Sequence, residues 1–470
     1  MCENRCARRW AAAGTLVVLI TLLTNCAWAA TVLRVDATSV GGDGSSWAAA
    51  LDEPQFRDAL RAVTPASGEV EFWVKAGVYR PGTIRTDSFV LSNDVALYGG
   101  FAGGETTLGE RDVSTNVTVL TGDIDNNDAN KVNGATVSAD NIVGTNSFRV
   151  VRSIGCDNTA ILDGFTICAG SADINGAGMH NFVSNPLVRN CTFSGNKAYE
   201  AGGMCNNASS PTVTNCTFSG NKATTNGGGM NNYDSSNPTV TNCTFSWNKA
   251  TTNGGGMNNY DNSNPTVTNC TFSWNTAEQI GGGMLNSDDS SPTVKNCTFS
   301  GNEAVLLAGG GMVNAARSDA VVMNCTFSGN EAGIYGGGMI NATSSDVVVM
   351  NCTFLENEAG EYGGGMANYD SSNLTVTNCT FSGNRAVSYS GGGMVNAVVS
   401  DAVVMNCTFS GNEADTNGGG MYNTQSNVIV TNCTFSENIA KYGGGISNVA
   451  GSNPTVTNCT FSGNLVHDTG

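Results

Sequence analysis

Apolar and polar positions along the chain recur with a period of about 27 residues from residue 160 onward. One copy, residues 254–275, reads GGGMNNYDNSNPTVTNCTFSWN. Thr266-Val267-Thr268 alternates polar, apolar, polar, and Cys270-Thr271-Phe272 alternates the other way. Short alternating runs rich in β-branched residues predict strands. Met257, closing a glycine triplet, predicts a third strand where backbones approach closely. The segments between are rich in Asn, Asp, Ser and Pro and predict turns. No copy sustains a 3.6-residue pattern, so a helical repeat is excluded. Three short strands and three turns per copy make one coil of an all-β solenoid, a parallel β-helix.

The repeat is counted by its cysteine, at 191, 216, 243, 270, 297, 325, 352, 379, 407, 433 and 459. An earlier, degenerate copy has Phe165 in that place. Equivalent residues of neighbouring coils should lie about 4.8 Å apart, so Met, Val, Cys and Phe should stack inward as ladders. Strict alternation from Val267 would turn Cys270 outward. A left-handed Asn269 resets the phase, a conformation asparagine tolerates, and its side chains can form an amide ladder of their own. Some fifteen coils give a rod of roughly 70 Å or more.

Residues 31–65 lie outside the repeat. Leu51, Phe56, Leu60 and Val63 fall on or near one face of a helix predicted over 48–63, which should cover the open end of the solenoid. Strand patterns follow at Val70-Glu71-Phe72-Trp73-Val74, 89–91, 95–98, 117–120 and 148–151. The division expected is a signal peptide at 1–29, a cap at 30–65, irregular coils at 66–160 and regular coils at 161–470.

The leader is read from its basic start, the apolar run 11–23, too short to span a bilayer, and Ala27-Trp28-Ala29 before a cut. A lipoprotein with Cys26 lipidated is the rival reading. The formal net charge is −18. Removing the leader's three arginines and one glutamate leaves 18 basic and 38 acidic residues, near −20. That balance argues against nucleic acid and anionic membranes as partners. It is compatible with divalent cations, cationic partners or simple solubility, while the leader implies an exported protein, extracellular or at the cell surface, whose expected partner is an extracellular protein or carbohydrate surface. Its membrane anchor, if it has one, and its oligomeric state are left open.

Seventeen cysteines in an exported chain suggest disulfides, but in-register side chains on one sheet run parallel and cannot reach a good dihedral. The ladder cysteines and methionines therefore read as core. Cys156, Cys168 and Cys205 are the better disulfide candidates. Each Asn-Cys-Thr is a formal glycosylation sequon, expected to be inaccessible at an inward turn. About one aspartate per coil (Asp234, Asp261, Asp288, Asp319, Asp346, Asp370 and Asp401) could form a calcium edge or a row of solvated turns. Asp123, Asp125 and Asn127 place oxygen ligands at alternate positions, like the start of a calcium loop, without its glycine and distal glutamate. No other cofactor is indicated. His180 and His467, the only histidines, sit in no dyad or triad, and Asp288-Asp289 lacks a partner for glycoside chemistry.

The repeat also permits a resemblance. Phe193-Ser194-Gly195-Asn196, Phe272-Ser273-Trp274-Asn275 and Phe435-Ser436-Glu437-Asn438 fit a Phe-x-x-Asn signature. Gly-Gly-Gly before Met230 and Ile446 fits its Gly-Gly-apolar companion. Together they resemble the passenger repeats of polymorphic outer membrane proteins and, more broadly, the pectin-lyase-like right-handed β-helix proteins of bacterial surfaces. Ser46-Trp47, Val78-Tyr79-Arg80-Pro81 and 97–101 look like the first coils of such proteins. The resemblance implies a right-handed coil, a surface or secreted location and an adhesive role. It departs from the pattern in having methionine for a smaller apolar residue, and in ending within a copy where those proteins continue into a β-barrel. Enzymes of this fold, polysaccharide lyases and hydrolases, gather Asp, Arg, Lys or His on one outer face. No such cluster stands out beside a break in the repeat. An adhesive or structural protein without catalysis is expected, with a carbohydrate-active enzyme or a calcium-dependent binding module as alternatives.

Overall fold

A computed structural model describes residues 30–63 and 68–467, so the expected leader lies outside the described residues. The strands of successive coils stack into three long parallel sheets of 15, 14 and 13 strands. The first collects the Thr-Val-Thr strands, the second the Thr-Phe-Ser strands and the third the Met strands. A narrow fourth ladder of 11 two-residue strands, such as Lys222–Ala223, follows the Phe strand and adds to the three that the pattern predicts.

Register is held residue for residue: Val240 with Val267, Phe245 with Phe272, Met230 with Met257. Those rows point inward and are buried together with the cysteines. Phenylalanine rings stack nearly parallel, with centroids 4.7 Å apart for Phe245 and Phe272. The ladder stays dry and in phase because the asparagine before each cysteine is left-handed, with φ between 51 and 56° from Asn190 to Asn458. From Asn215 to Asn432 each donates its amide to the preceding coil's, at 3.2 Å from Asn269 to Asn242. These asparagines are exposed, so the sequons are not inaccessible as expected; their amide nitrogens are already committed to the ladder.

The Phe-x-x-Asn asparagine forms a second ladder, buried from Asn196 to Asn438. Asn248 donates to Phe218 O and to Asn275 Oδ1, both at 2.9 Å. Its own oxygen accepts the backbone N–H of Asn221. The corner is thus closed by side chains that satisfy one another, as a buried turn requires. The glycine triplet is forced by contact. A Cβ on Gly229 would lie 2.5 Å from Gly256 O and 3.0 Å from the Phe245 ring.

At the N-terminal end the helix is shorter than the pattern suggests, spanning Glu53–Ala62. Asp52 stops it from starting earlier: its side chain accepts from Gln55 N–H, and Gln55 Oε1 accepts from Asp52 N–H. Phe56 seals the core against Phe72 and Phe89, with centroids 5.5 and 5.7 Å away. Thr31–Val35 already pairs in parallel with Val70–Lys75 as the first strand of the longest sheet.

Candidate functional site

The Asp123 loop closes on itself. Asp123 is buried, accepts the N–H groups of Asn127 and Asp128, and is paired with Lys131. Burial raises its carboxyl, but Lys131 and those amides outweigh this and hold it below the usual range. Asp125 accepts from the Asn127 side chain at 3.1 Å and from Thr145 N–H at 2.8 Å. Lys131 therefore stands where a cation would bind Asp123. Among the described residues no group of three or more His, Cys, Asp or Glu is placed to hold a metal ion.

The aspartates do not form one row. Asp234, Asp261, Asp288 and Asp370 are left-handed turn residues. Asp319, Asp346 and Asp401 lie further along the turn and accept a backbone N–H of the next coil: Asp346 N–H to Asp319 and Asn427 N–H to Asp401, at 2.7 and 2.6 Å. Asp289 is bound two-pronged by Arg317 at 2.7 Å, which lowers its carboxyl.

Every described cysteine is a free thiol, the expected disulfide trio included. Cys156 Sγ donates to Leu91 O at 3.1 Å, whereas Cys168 and Cys205 lie under separate parts of the outer surface. Burial pushes Cys168 up to about 11 and Cys205 to about 12. In the ladder, contact with the preceding thiol and burial push Cys352, Cys379 and Cys407 up to about 12.

The assembly that sequence reasoning missed lies on the outside of the Met sheet. There the residue before each glycine triplet faces the residue after each methionine across a tight bend. A Cβ on Gly227 would touch Asn231 Cβ at 2.7 Å. The bend is a concave corner that runs along the solenoid. In its middle it is apolar, where Leu285, Val313 and Ile340 pack with Ala308, Ile280 and Tyr335. Toward the N-terminus it turns polar. Arg152, His180, Cys205 and Asn231 succeed one another in one row. Glu200, Asn226 and Asn253 face them: Asn226 and Asn231 each donate to Glu200 at 3.3 Å, and Asn258 donates to Asn231 at 2.7 Å. Tyr233 Oη accepts from Asn175 and Asn207, at 3.1 and 2.9 Å, and Arg149 Nε donates to Asn175 O.

Two properties mark this segment. Its titratable groups are displaced. His180 is 9% exposed, and burial, then the charges of Arg149 and Arg152, hold its imidazole down to about 4, so it is neutral at pH 7. Burial raises the Glu200 carboxyl and lowers Arg149. Its polar groups are also unsatisfied. His180 Nδ1 and the side-chain oxygens of Asn207, Asn226, Asn253 and Asn258 are buried without a hydrogen-bond partner. The ion pairs of the described residues include neither Arg149, Arg152 nor Glu200. Native proteins rarely leave so many buried polar atoms unpaired, and clustered groups with displaced pKa values are candidates for function. No charged cluster stands out in the sequence beside a break in the repeat; this one is assembled by the stacking of coils. Its members come from three coils and meet only because the coils stack. The available signal was the departure of His180 and Glu200 from what later copies carry at the same positions.

The family description "right handed beta helix region" matches residues 115–282 and 233–402, more than half of the sequence. The chain belongs to the right-handed β-helix family. A Chlamydia polymorphic membrane protein repeat matches residues 432–449 of this β-helix protein. No curated protein matches it. Solved structures similar to this β-helix include a surface adhesin of Streptococcus pneumoniae, 12% identical over 93% of each chain with a TM-score of 0.39. Another is the catalytic unit of a thermostable α-1,3-glucanase from Streptomyces thermodiastaticus, 13% identical over 92% of this chain and 70% of that one, TM-score 0.39. A third is the A-module of a mannuronan C-5 epimerase from Azotobacter vinelandii, 14% identical over 93% of this chain and all of that one, TM-score 0.33. These likenesses reach the fold alone. No described helix is long and apolar enough to cross a membrane.

Proposed function

We propose that this β-helix is a secreted or cell-surface adhesive protein that holds an extracellular ligand in the polar segment of its corner groove. The observation that carries the reading is the convergence of unpaired Arg149 and Arg152 with five partnerless buried polar atoms in one concave strip. Amide oxygens accept from hydroxyls and guanidinium groups donate to anions, so the strip suits a hydroxyl-rich ligand. The polymorphic membrane protein repeat at 432–449 supports the surface location. The asparagine and phenylalanine ladders make the rod rigid, so the groove is preorganised and binding does not have to order it.

A second reading, a carbohydrate-active enzyme, is favoured by His180 and Glu200. A neutral imidazole and a carboxyl that burial raises, on neighbouring coils, are a base and an acid for proton transfer.

The test is a panel of extracellular polysaccharides and matrix proteins presented to the mature chain, with products assayed in the same mixtures. Binding without product, weakened about tenfold by Arg149→Ala, supports the adhesive reading. Product formation abolished by His180→Ala replaces it with the enzymatic one. Absence of both overturns the site.

A further inference from the structure

Just before the asparagine of the Phe-x-x-Asn turn, the chain is left-handed in every regular coil, with φ between 52 and 63°. Seven coils place glycine there: Gly195, Gly220, Gly301, Gly329, Gly383, Gly411 and Gly463. Two place glutamate, Glu356 and Glu437, and two successive coils place tryptophan, at φ 57° in Trp247 and 56° in Trp274. A bulky residue in this region is an outlier that the surroundings must impose, and such strain gathers at sites of function. Neither ring is bought by core packing. Trp247 is 59% exposed and Trp274 54%.

The rings stack with centroids 5.5 Å apart and planes 10° from parallel. Trp274 lies over Gly301, where a Cβ would meet its ring at 2.8 Å. The stack leaves Trp247 to border a recess of about 350 Å3, whose opposite side is the segment Val137 to Asp140 folded over Gly220. Ala139 N–H is anchored to Gly220 O at 3.1 Å. Beside the recess the short fourth ladder carries Lys197, Lys222 and Lys249 in register. Lys222 pairs with one oxygen of Asp140 at 3.1 Å, and Lys197 and Lys249 enter no ion pair among the described residues. From Glu303 the same ladder turns acidic, through Glu331 and Glu358. The lysine patch is therefore local, beside the aromatic rings, on a chain of net charge −18.

We infer that this recess is a second binding site, separate from the corner groove, for an anionic pyranose of an extracellular glycan. The C–H face of the sugar ring stacks on Trp247, whose ring face carries negative charge density. A carboxylate or sulfate on that ring meets Lys222 and Lys249. The free oxygen of Asp140 and the hydroxyl of Ser138 border the recess and can take the sugar's hydroxyls. Aromatic rings beside lysines could also hold a nucleobase and its phosphate, but Asp140 and Ser138 supply acceptors that match the several hydroxyls of a sugar ring.

The test is calorimetric titration of the mature chain with four probes: an oligouronate, a sulfated oligosaccharide, a neutral glucan oligomer and a single-stranded oligonucleotide. One or both acidic oligosaccharides should bind, and which one does separates carboxylate from sulfate. Affinity should fall about tenfold or more in Trp247→Gly and in the double variant Lys222→Gln with Lys249→Gln, and should fall with added salt. Trp247→Gly installs the residue that seven equivalent turns already use, so its melting temperature should stay close to that of the parent, and loss of binding cannot be ascribed to unfolding. No binding by either acidic oligosaccharide, equal binding of the neutral glucan, or unchanged affinity in Trp247→Gly overturns the proposal. Preference for the oligonucleotide overturns it in favour of a nucleic-acid platform. Arg149→Ala should leave this binding intact, which separates failure here from failure of the groove.

Discussion

Asn248 and Asn275, one coil apart, share an amide hydrogen bond of 2.9 Å, and the same bond links ten successive pairs of coils from Asn196 to Asn464. Each asparagine from Asn221 onward also caps a phenylalanine carbonyl, as Asn196 caps Ile167 O, and accepts a backbone N–H. Asn275→Ala would strip partners from the side chain and backbone of Asn248, from Phe245 O and from Asn302. A buried group left unpaired costs about 1–3 kcal/mol, so a loss of about 3–5 kcal/mol is expected after relaxation. Urea unfolding measures it. A loss under about 1 kcal/mol would show that the ladder is incidental to the fold.

The repeat made most of this architecture legible. Period two around Val267 and Phe272 gave the strands, and the phase break at Asn269 gave the inward cysteine. The fourth ladder escaped because two residues, such as Lys249 and Ala250, are too few to show a period. The corner groove escaped for another reason. Alternation predicts that the residue after methionine faces outward, and outward normally means solvent. The glycine bend folds that row back against its neighbour, so Leu285 and Ile340 are buried on the outside of the rod, and so is His180. Curvature is set by backbone contacts between coils, which no single copy encodes. The tryptophans were visible as Phe-Ser-Trp-Asn, but their strain appears only in the backbone angle.

Lys131 holds the place at Asp123 that a calcium ion would take. The melting temperature of the parent chain should therefore be the same in calcium and in a chelator. Lys131→Gln removes the internal cation and leaves buried Asp123 and Asp128 without it, which should lower the midpoint and create a calcium-dependent recovery. A rise of several degrees in the parent on adding calcium would instead establish Asp123, Asp125 and Asn127 as a working metal site.

The thiol ladder should be inert while the rod is folded. A buried thiol is out of a reagent's reach, and Cys352, Cys379 and Cys407 are also pushed up to about 12. Among the described cysteines only Cys459 is partly exposed. A thiol reagent at pH 8 should label Cys459 first and the ladder only with unfolding, read by mass spectrometry of the fragments. Rapid labelling of Cys270 without denaturant would mean that the coils open locally.

His180 should make the protein acid-sensitive in a defined window. Its imidazole is held down to about 4 in the folded chain, against about 6.5 when unfolded. Above pH 6.5 both states are neutral and the group contributes no pH dependence. Between 6.5 and 4 the unfolded chain takes up a proton that the folded chain refuses, so stability falls as pH falls. Below 4 both are protonated and the slope ends. The full loss is about 2–3 kcal/mol, allowing for partial solvation. His180→Asn, the residue that Asn231 and Asn258 provide in later coils, should flatten the difference in unfolding free energy across that window. With only two histidines in the chain, His180 and His467, NMR titration can follow the ring directly. A midpoint near 6.5 would place His180 in open solvent and remove the electrostatic basis of the corner site.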